Sequence, residues 1–193
     1  MINASRIKCY VARIYLSIFR VYFGFDKWHV TGNIYCRAYK YQVIDLANSI
    51  NPTSVVEIGC GLGDLITKIN AEERIGLDLD LNVIKAAVHL RGDKCKFVSG
   101  SFDDAIRYRA DLLIMVNWIH DLAPSILANE IKKLSCRYKY LLVDAITSER
   151  AEYKFKHDFD FMMNMGELIS RFDCEQSEGR SILLYKFHPI RMQ

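Results

Sequence analysis

The stretch Val55–Asp64, VVEIGCGLGD, constrains this chain more than any other. A short apolar run, Val55, Val56 and Ile58, breaks into glycine at every second position, Gly59, Gly61 and Gly63. The following LITKI has the apolar spacing of a helix, so the stretch predicts strand, tight turn, helix. Glycine has no Cβ and tolerates positive φ, so the backbone can turn sharply there and bring peptide N–H groups directly against a ligand.

Spacing separates the ligand classes that use such a turn. The dinucleotide fingerprint G-x-G-x-x-G needs its third glycine five residues after the first, at the helix N-terminus that meets the pyrophosphate. Asp64 stands there, and its carboxylate would repel a pyrophosphate. Glu57, two residues before the first glycine, suits a cationic ligand. An acid followed by G-x-G-x-G resembles the first motif of the class I S-adenosylmethionine-dependent methyltransferases. That resemblance implies a Rossmann-like α/β fold, with a seven-stranded, mostly parallel sheet whose last strand is antiparallel. It also implies S-adenosylmethionine as cofactor and S-adenosylhomocysteine as product, with Glu57, Gly59, Cys60, Gly61 and Gly63 at the cofactor.

A second strand, Arg74–Asp80, ends in carboxylates. Asp78 falls where a doubly wound sheet places an acid to accept both ribose hydroxyls, which matches the family's second motif, with Leu79 beside it. Asp80 suits a cap for a helix over Asn82–Leu90. After a third strand, Lys94–Val98, the resemblance places Ser101 and Phe102 against the adenine. The usual aspartate is replaced by a hydroxyl there, and Asp103 is the substitute at hand.

The run Ala110–Val116 is apolar throughout, as in a central strand covered on both faces. It exits into Asn117-Trp118-Ile119-His120-Asp121, at the strand ends where open α/β sheets bind ligands. There is no Pro-Pro-aromatic sequence of the kind carried by amine and amide methyltransferases. The Trp-x-His-Asp sequence instead resembles small-molecule O-methyltransferases, which implies that Asn117, Trp118 and His120 face the reaction and that His120 is the general base. A capping or orienting hydrogen bond is the plainer role for His120. Asp144, after a fifth strand Tyr138–Val143, is the acid a metal-dependent relative would use, but its partner acid is missing, so no metal is expected.

Ahead of the first strand, residues 5–25 place apolar side chains at three- and four-residue steps, which predicts an amphipathic helix. Its charged residues are Arg6, Lys8, Arg13 and Arg20, and the first acid in the chain is Asp26. A helix packed on the domain or over the cleft is the plainer reading. A basic helix lying on an anionic membrane is the sharper one. The next segment is rich in polar-tipped aromatics. The resemblance makes it a lid in which Trp28 and His29 touch the acceptor; otherwise Trp28 is a core anchor and His29 a surface residue. Residues 1–39 are therefore read as an N-terminal helical cap and 40–193 as the cofactor-binding domain, with a helix over 37–50 across their boundary.

Residues 148–163 are charged and aromatic, and read as an acceptor-binding insertion carrying His157 or as a helix packed on the sheet. Arg171–Gln176 and Ile182–Phe187 flank a turn and predict a terminal hairpin. The chain of 193 residues, 51% hydrophobic, suits one domain. A net charge of +3 with scattered basic residues does not indicate nucleic acid. The six cysteines form no C-x-x-C pair and read as free thiols in a reducing, cytoplasmic compartment. The short chain favours a small acceptor. A further resemblance to methyltransferases of bacterial surface-polysaccharide pathways, carried by the Trp-His segment and Trp-x-His, implies a saccharide. A non-catalytic cofactor-binding subunit and a membrane-associated enzyme with a lipid-linked acceptor are the alternatives.

Overall fold

The computed structural model describes residues 4–147, 153–174 and 179–189. Helix α1 (Ala4–Phe23), the short α2 (Lys27–Thr31) and α3 (Tyr39–Ser49) lead into β1 (Ser54–Ile58). Then follow β2 (Glu73–Asp78), α4 (Leu81–Arg91), β3 (Lys96–Ser99), α5 (Phe102–Ala105), β4 (Ala110–Met115), α6 (Pro124–Leu134) and β5 (Tyr138–Ile146). The chain ends in β6 (Gly166–Asp173) and β7 (Arg180–Phe187).

The seven strands form one sheet in the order β3-β2-β1-β4-β5-β7-β6, with β1 to β5 parallel and β7 antiparallel to both neighbours. Strand order reverses between β1 and β4, which makes the C-terminal ends of those two strands the switch point of the fold. The centre is dry on both sides: Leu112, Leu113, Ile114 and Met115 of β4 are all fully buried. Alternate residues point to opposite faces. Val55, Leu112 and Ile114 therefore pack with Val43 and Ala47 of α3, while Val56, Leu113 and Met115 pack with Leu127 and Ile131 of α6.

The helix predicted after the glycine turn does not form. Only a single 3-10 turn, Ile66–Lys68, separates the glycines from β2. Its groups are taken by side chains from elsewhere: the Ile66 N–H donates to Glu57 Oε2 at 3.1 Å, and the Leu62 carbonyl accepts from Arg91 Nε at 2.8 Å. Those are the two partners of what would have been a first helical hydrogen bond. Leu65, Ile66 and Ile69 are buried all the same.

Other boundaries move. The helix predicted over 37–50 spans Tyr39–Ser49, and the third strand runs Lys96–Ser99. The hairpin starts at Gly166 rather than Arg171, and its turn at Ser177-Glu178 lies outside the described residues, as does 148–152 of the predicted insertion. The described part of that insertion is irregular from Tyr153 to Phe159, with a 3-10 turn at Asp160–Asn164.

The expectation of six free thiols is corrected. Cys9 of α1 and Cys36 of the segment before α3 form a disulfide, with Cα atoms 5.1 Å apart, while Cys60, Cys95, Cys136 and Cys174 are free. Spacing could not show this pair, because the docking of α1 brings its ends together across 27 residues. Those two cysteines therefore give no support to a reducing compartment.

Candidate active site at the switch point

All three glycines after β1 have positive φ: 72° at Gly59, 53° at Gly61 and 76° at Gly63. At Gly59 and Gly63 space forbids a side chain as well, and at Gly61 it is tight. A Cβ on Gly59 would lie 2.2 Å from the Trp118 ring, one on Gly63 2.5 Å from Phe97, and one on Gly61 3.2 Å from His29 Nδ1. The turn is tied to β2, since the Gly61 N–H donates to Asp78 Oδ2 at 2.9 Å and the Asp80 N–H to Asp78 Oδ1 at 3.0 Å. Asp80 caps α4 by accepting from the N–H groups of Asn82 and Val83, the role its position suggested.

Across the switch point, β4 ends in a tight turn. Asn117 has φ 79° and ψ −58°, and the Trp118 N–H donates to the Val116 carbonyl at 3.1 Å. This is the strained form of the γ-turn. It throws Trp118 back over β1, where Nε1 donates to the Ile58 carbonyl at 2.6 Å and the ring covers Gly59. Phe102 packs against Trp118, with ring centroids 5.5 Å apart.

Glu57, Gly59, Cys60, Gly61 and Asn117 line one cleft together with Trp28 and His29 from α2. Tyr39, Lys40 and Asp64, which the sequence did not mark as ligand residues, line it too. The cleft is narrow, with about 30 Å³ open to the centres of water-sized spheres. Burial pushes the Glu57 carboxyl up to about 8, against the opposing pull of the Lys40 cation and the Ile66 hydrogen bond. Glu57 is thus largely protonated at neutral pH. Burial likewise raises the Cys60 thiol and lowers His29. Asp64 is held by protein partners. It accepts from the Ile34 N–H at 3.0 Å and from Arg91 at 2.7 Å, with Lys40 at 3.5 Å, and so fastens the cap segment to α3 and α4.

The other site residues predicted from sequence lie outside the cleft. Leu79 is exposed. Ser101 opens α5, its N–H donating to Asp104 Oδ2 at 3.1 Å, and Asp103 is exposed. His120 is completely buried and does not line the cleft, with Nε2 3.4 Å from Asp144 Oδ1 and its ring 4.9 Å and 5.5 Å from those of Tyr153 and His157. Burial first, and the Arg180 guanidinium second, hold His120 down at about 4, so a neutral imidazole meets the carboxylate. Neither ring nitrogen has a hydrogen-bond partner among the described residues. His157 is also buried, Nε2 lying 3.0 Å from the Ile119 carbonyl.

Arg180 was not legible as a site residue. It pairs with Asp144, donates to Tyr153 Oη at 2.7 Å and to Asn117 Oδ1 at 3.2 Å, and lies 4.3 Å over the Tyr39 ring. The Asn117 N–H fills the other oxygen of Asp144 at 2.8 Å. The carboxylate that a metal-dependent relative would use is therefore committed to protein donors here.

The sheet order, with its switch point between β1 and β4, is that of a Rossmann-like α/β fold, which solved S-adenosylmethionine-dependent methyltransferases share. The N-methyltransferase NodS from Bradyrhizobium japonicum WM9, solved with S-adenosylhomocysteine, superposes with a TM-score of 0.71 at 12% identity, over 89% of this chain and 97% of NodS. The magnesium protoporphyrin IX methyltransferase ChlM from Synechocystis PCC 6803, solved with S-adenosylmethionine, gives 0.64 at 13% identity over 97% and 99%. TehB from Haemophilus influenzae gives 0.62 at 14% identity over 77% of this chain; the chain spans 62% of TehB's length. No protein-family model and no curated protein matches the chain. At such identities the likeness establishes the fold.

Proposed function

We propose that this chain transfers a methyl group from S-adenosylmethionine to a hydroxyl of a small acceptor, a sugar or another hydroxylated metabolite. The observation that carries this reading is the all-positive-φ glycine turn, anchored on Asp78 and facing Asn117 and Trp118 across the switch point. Bound S-adenosylmethionine would supply an electrophilic methyl carbon on a cationic sulfur and leave as S-adenosylhomocysteine. Gly61 lines the cleft with bare backbone that a ligand can touch, and a Cβ there would crowd His29 Nδ1. Each Asp78 oxygen accepts one backbone N–H and keeps acceptor capacity for a ribose diol. A cationic ligand would draw Glu57 back toward its ionised form. Leu79, Ser101 and Phe102 are assigned to the adenine side, Trp28 and His29 to the acceptor side. Trp28 is part-exposed at the cleft and presents an aromatic face suited to a sugar ring.

Methyl transfer to oxygen breaks a carbon–sulfur bond, forms a carbon–oxygen bond and releases the hydroxyl proton. His120 is assigned that proton. It is neutral at pH 7 and so has a lone pair to offer, and Asp144 would steady the imidazolium formed. Tyr153 and His157 cover its ring, so this role requires them to separate from it when an acceptor enters. That cover is also the observation favouring the second reading, a non-catalytic cofactor-binding subunit.

Calorimetric titration with S-adenosylmethionine and S-adenosylhomocysteine, wild type beside Asp78→Ala, tests the cofactor. Loss of hydrogen bonds to a charged group should weaken binding by about 1.5–3 kcal/mol. No binding of either ligand by folded protein sinks the proposal. Binding without isotopic methyl transfer to any sugar or other hydroxylated acceptor favours the subunit reading.

A further inference from the structure

Helix α1 carries two apolar surfaces. The narrow one is used: Leu16 is buried, with Phe19 and Phe23 beside it, against Val83 and Ala86 of α4. The broad one lies on the opposite side. At 3.6 residues per turn Ile7, Val11, Ile14, Ile18 and Val21 share one line along the helix, and all five are exposed, Val21 by 84%. Tyr10 and Tyr22, exposed by 66% and 81%, flank that line. A contiguous apolar stripe of this length on a small domain marks an interaction site.

Charge selects the partner. Arg6, Arg13 and Arg20 recur at steps of seven and so follow one border of the stripe, while Lys8 stands on the other. The helix contains no acid, and the first acid along the chain is Asp26. A second copy of the helix would bring like charges together. The stripe also spans barely two heptads, short of the roughly three or four that argue for a coiled coil. An anionic bilayer satisfies every part: acyl chains meet the isoleucines and valines, lipid phosphates meet the arginines, and the tyrosines sit between them.

We propose that α1 docks this protein on an anionic lipid bilayer, lying in the interfacial plane with the Ile7–Val21 stripe turned toward the acyl chains. Among the described residues no helix is long and apolar enough to cross a membrane, so α1 lies on the bilayer rather than through it. The Cys9–Cys36 bond and the packed edge at Leu16 hold the helix to the domain with the stripe facing outward.

Flotation of the full chain with vesicles of phosphatidylcholine containing about 30 mol% phosphatidylglycerol, against phosphatidylcholine alone, tests this at about 0.1 and 0.5 M salt. Binding is expected on the anionic vesicles and should fall at the higher salt. Arg6→Gln/Arg13→Gln/Arg20→Gln should weaken it roughly 10²-fold, at about fivefold per cation. Ile14→Ser/Ile18→Ser should weaken it too, without loss of fold, because both side chains are exposed. Circular dichroism verifies that the variants remain folded. Failure to float with anionic vesicles, or flotation unchanged in both variants, overturns the proposal. So does a solution dimer that Ile14→Ser/Ile18→Ser dissolves, which assigns the face to a second copy.

Discussion

His120 Nε2 lies 3.4 Å from Asp144 Oδ1, and both side chains are completely buried. Asp144 is already paired with Arg180, so its charge is balanced before His120 is counted, and the imidazole stays neutral. Burial first, and the Arg180 guanidinium second, keep the resting imidazole uncharged. If His120 takes the acceptor proton, His120→Ala should lower the methylation rate roughly 10²–10⁴-fold and leave cofactor affinity nearly unchanged. A loss below about threefold, with stability reduced, would give His120 a packing role.

The same residues set the pH dependence of stability. His120 is held at about 4, below its unfolded value of 6.5, so the unfolded chain binds more protons between these values and stability is lost as pH falls through that window. His29 and His157, also lowered by burial, act in the same direction. Glu57, raised to about 8 from 4.5, has the opposite sign: its folded form holds the extra proton, and stability is lost as pH rises through that range. Chemical unfolding from pH 5 to 9 should therefore show Glu57→Gln gaining on the wild type as pH rises, by up to about 1.4 kcal/mol per unit. A constant difference between the two proteins would contradict the assignment.

Glu57 also predicts proton release on ligand binding. At pH 7 it is mostly protonated, and a cation in the cleft lowers its pKa. The calorimetric enthalpy for S-adenosylmethionine should then differ between phosphate and Tris buffers. That difference should vanish in Glu57→Gln.

Gly59 and Trp118 should behave as a coupled pair. Gly59→Ala brings a Cβ to 2.2 Å from the indole at a φ of 72°, so it should destabilise by about 2 kcal/mol or more. In a Trp118→Ala background only the backbone cost of about 1–2 kcal/mol remains. Denaturant unfolding of the four proteins measures the coupling, and simple additivity would separate the two residues.

The disulfide predicts four titratable thiols rather than six in unreduced, unfolded protein, matching the four free cysteines. Cys9→Ser/Cys36→Ser should cost about 3 kcal/mol of stability, the usual order for a loop of this length. Six thiols would show that the bond does not form.

Much of the fold was readable because it depends on near neighbours. The glycine alternation needs only its own backbone, the buried run of β4 announces itself by composition, and Asp80 caps a helix that begins one residue later. The helix after the glycine turn was misread because local apolar spacing says nothing of a distant carboxylate and guanidinium. Glu57 and Arg91 reach in and take the hydrogen-bonding groups that the helix would have used.

What the sequence by itself determined is the strand–turn arrangement at the switch point and the basic, apolar character of α1, since both follow from residue types at short, regular steps. Only the tertiary structure decided which of those residues meet. Insertion of β7 beside β5, with Ile146 opposite Arg180, carries a hairpin arginine to Asp144, and the strained turn at Asn117 folds Trp118 onto Gly59. Asp64, at the cleft, is also a bracket, because Ile34 and Arg91 converge on it from 30 residues before and 27 after. Contacts across such separations are set by strand order and register, and no local rule of spacing encodes those.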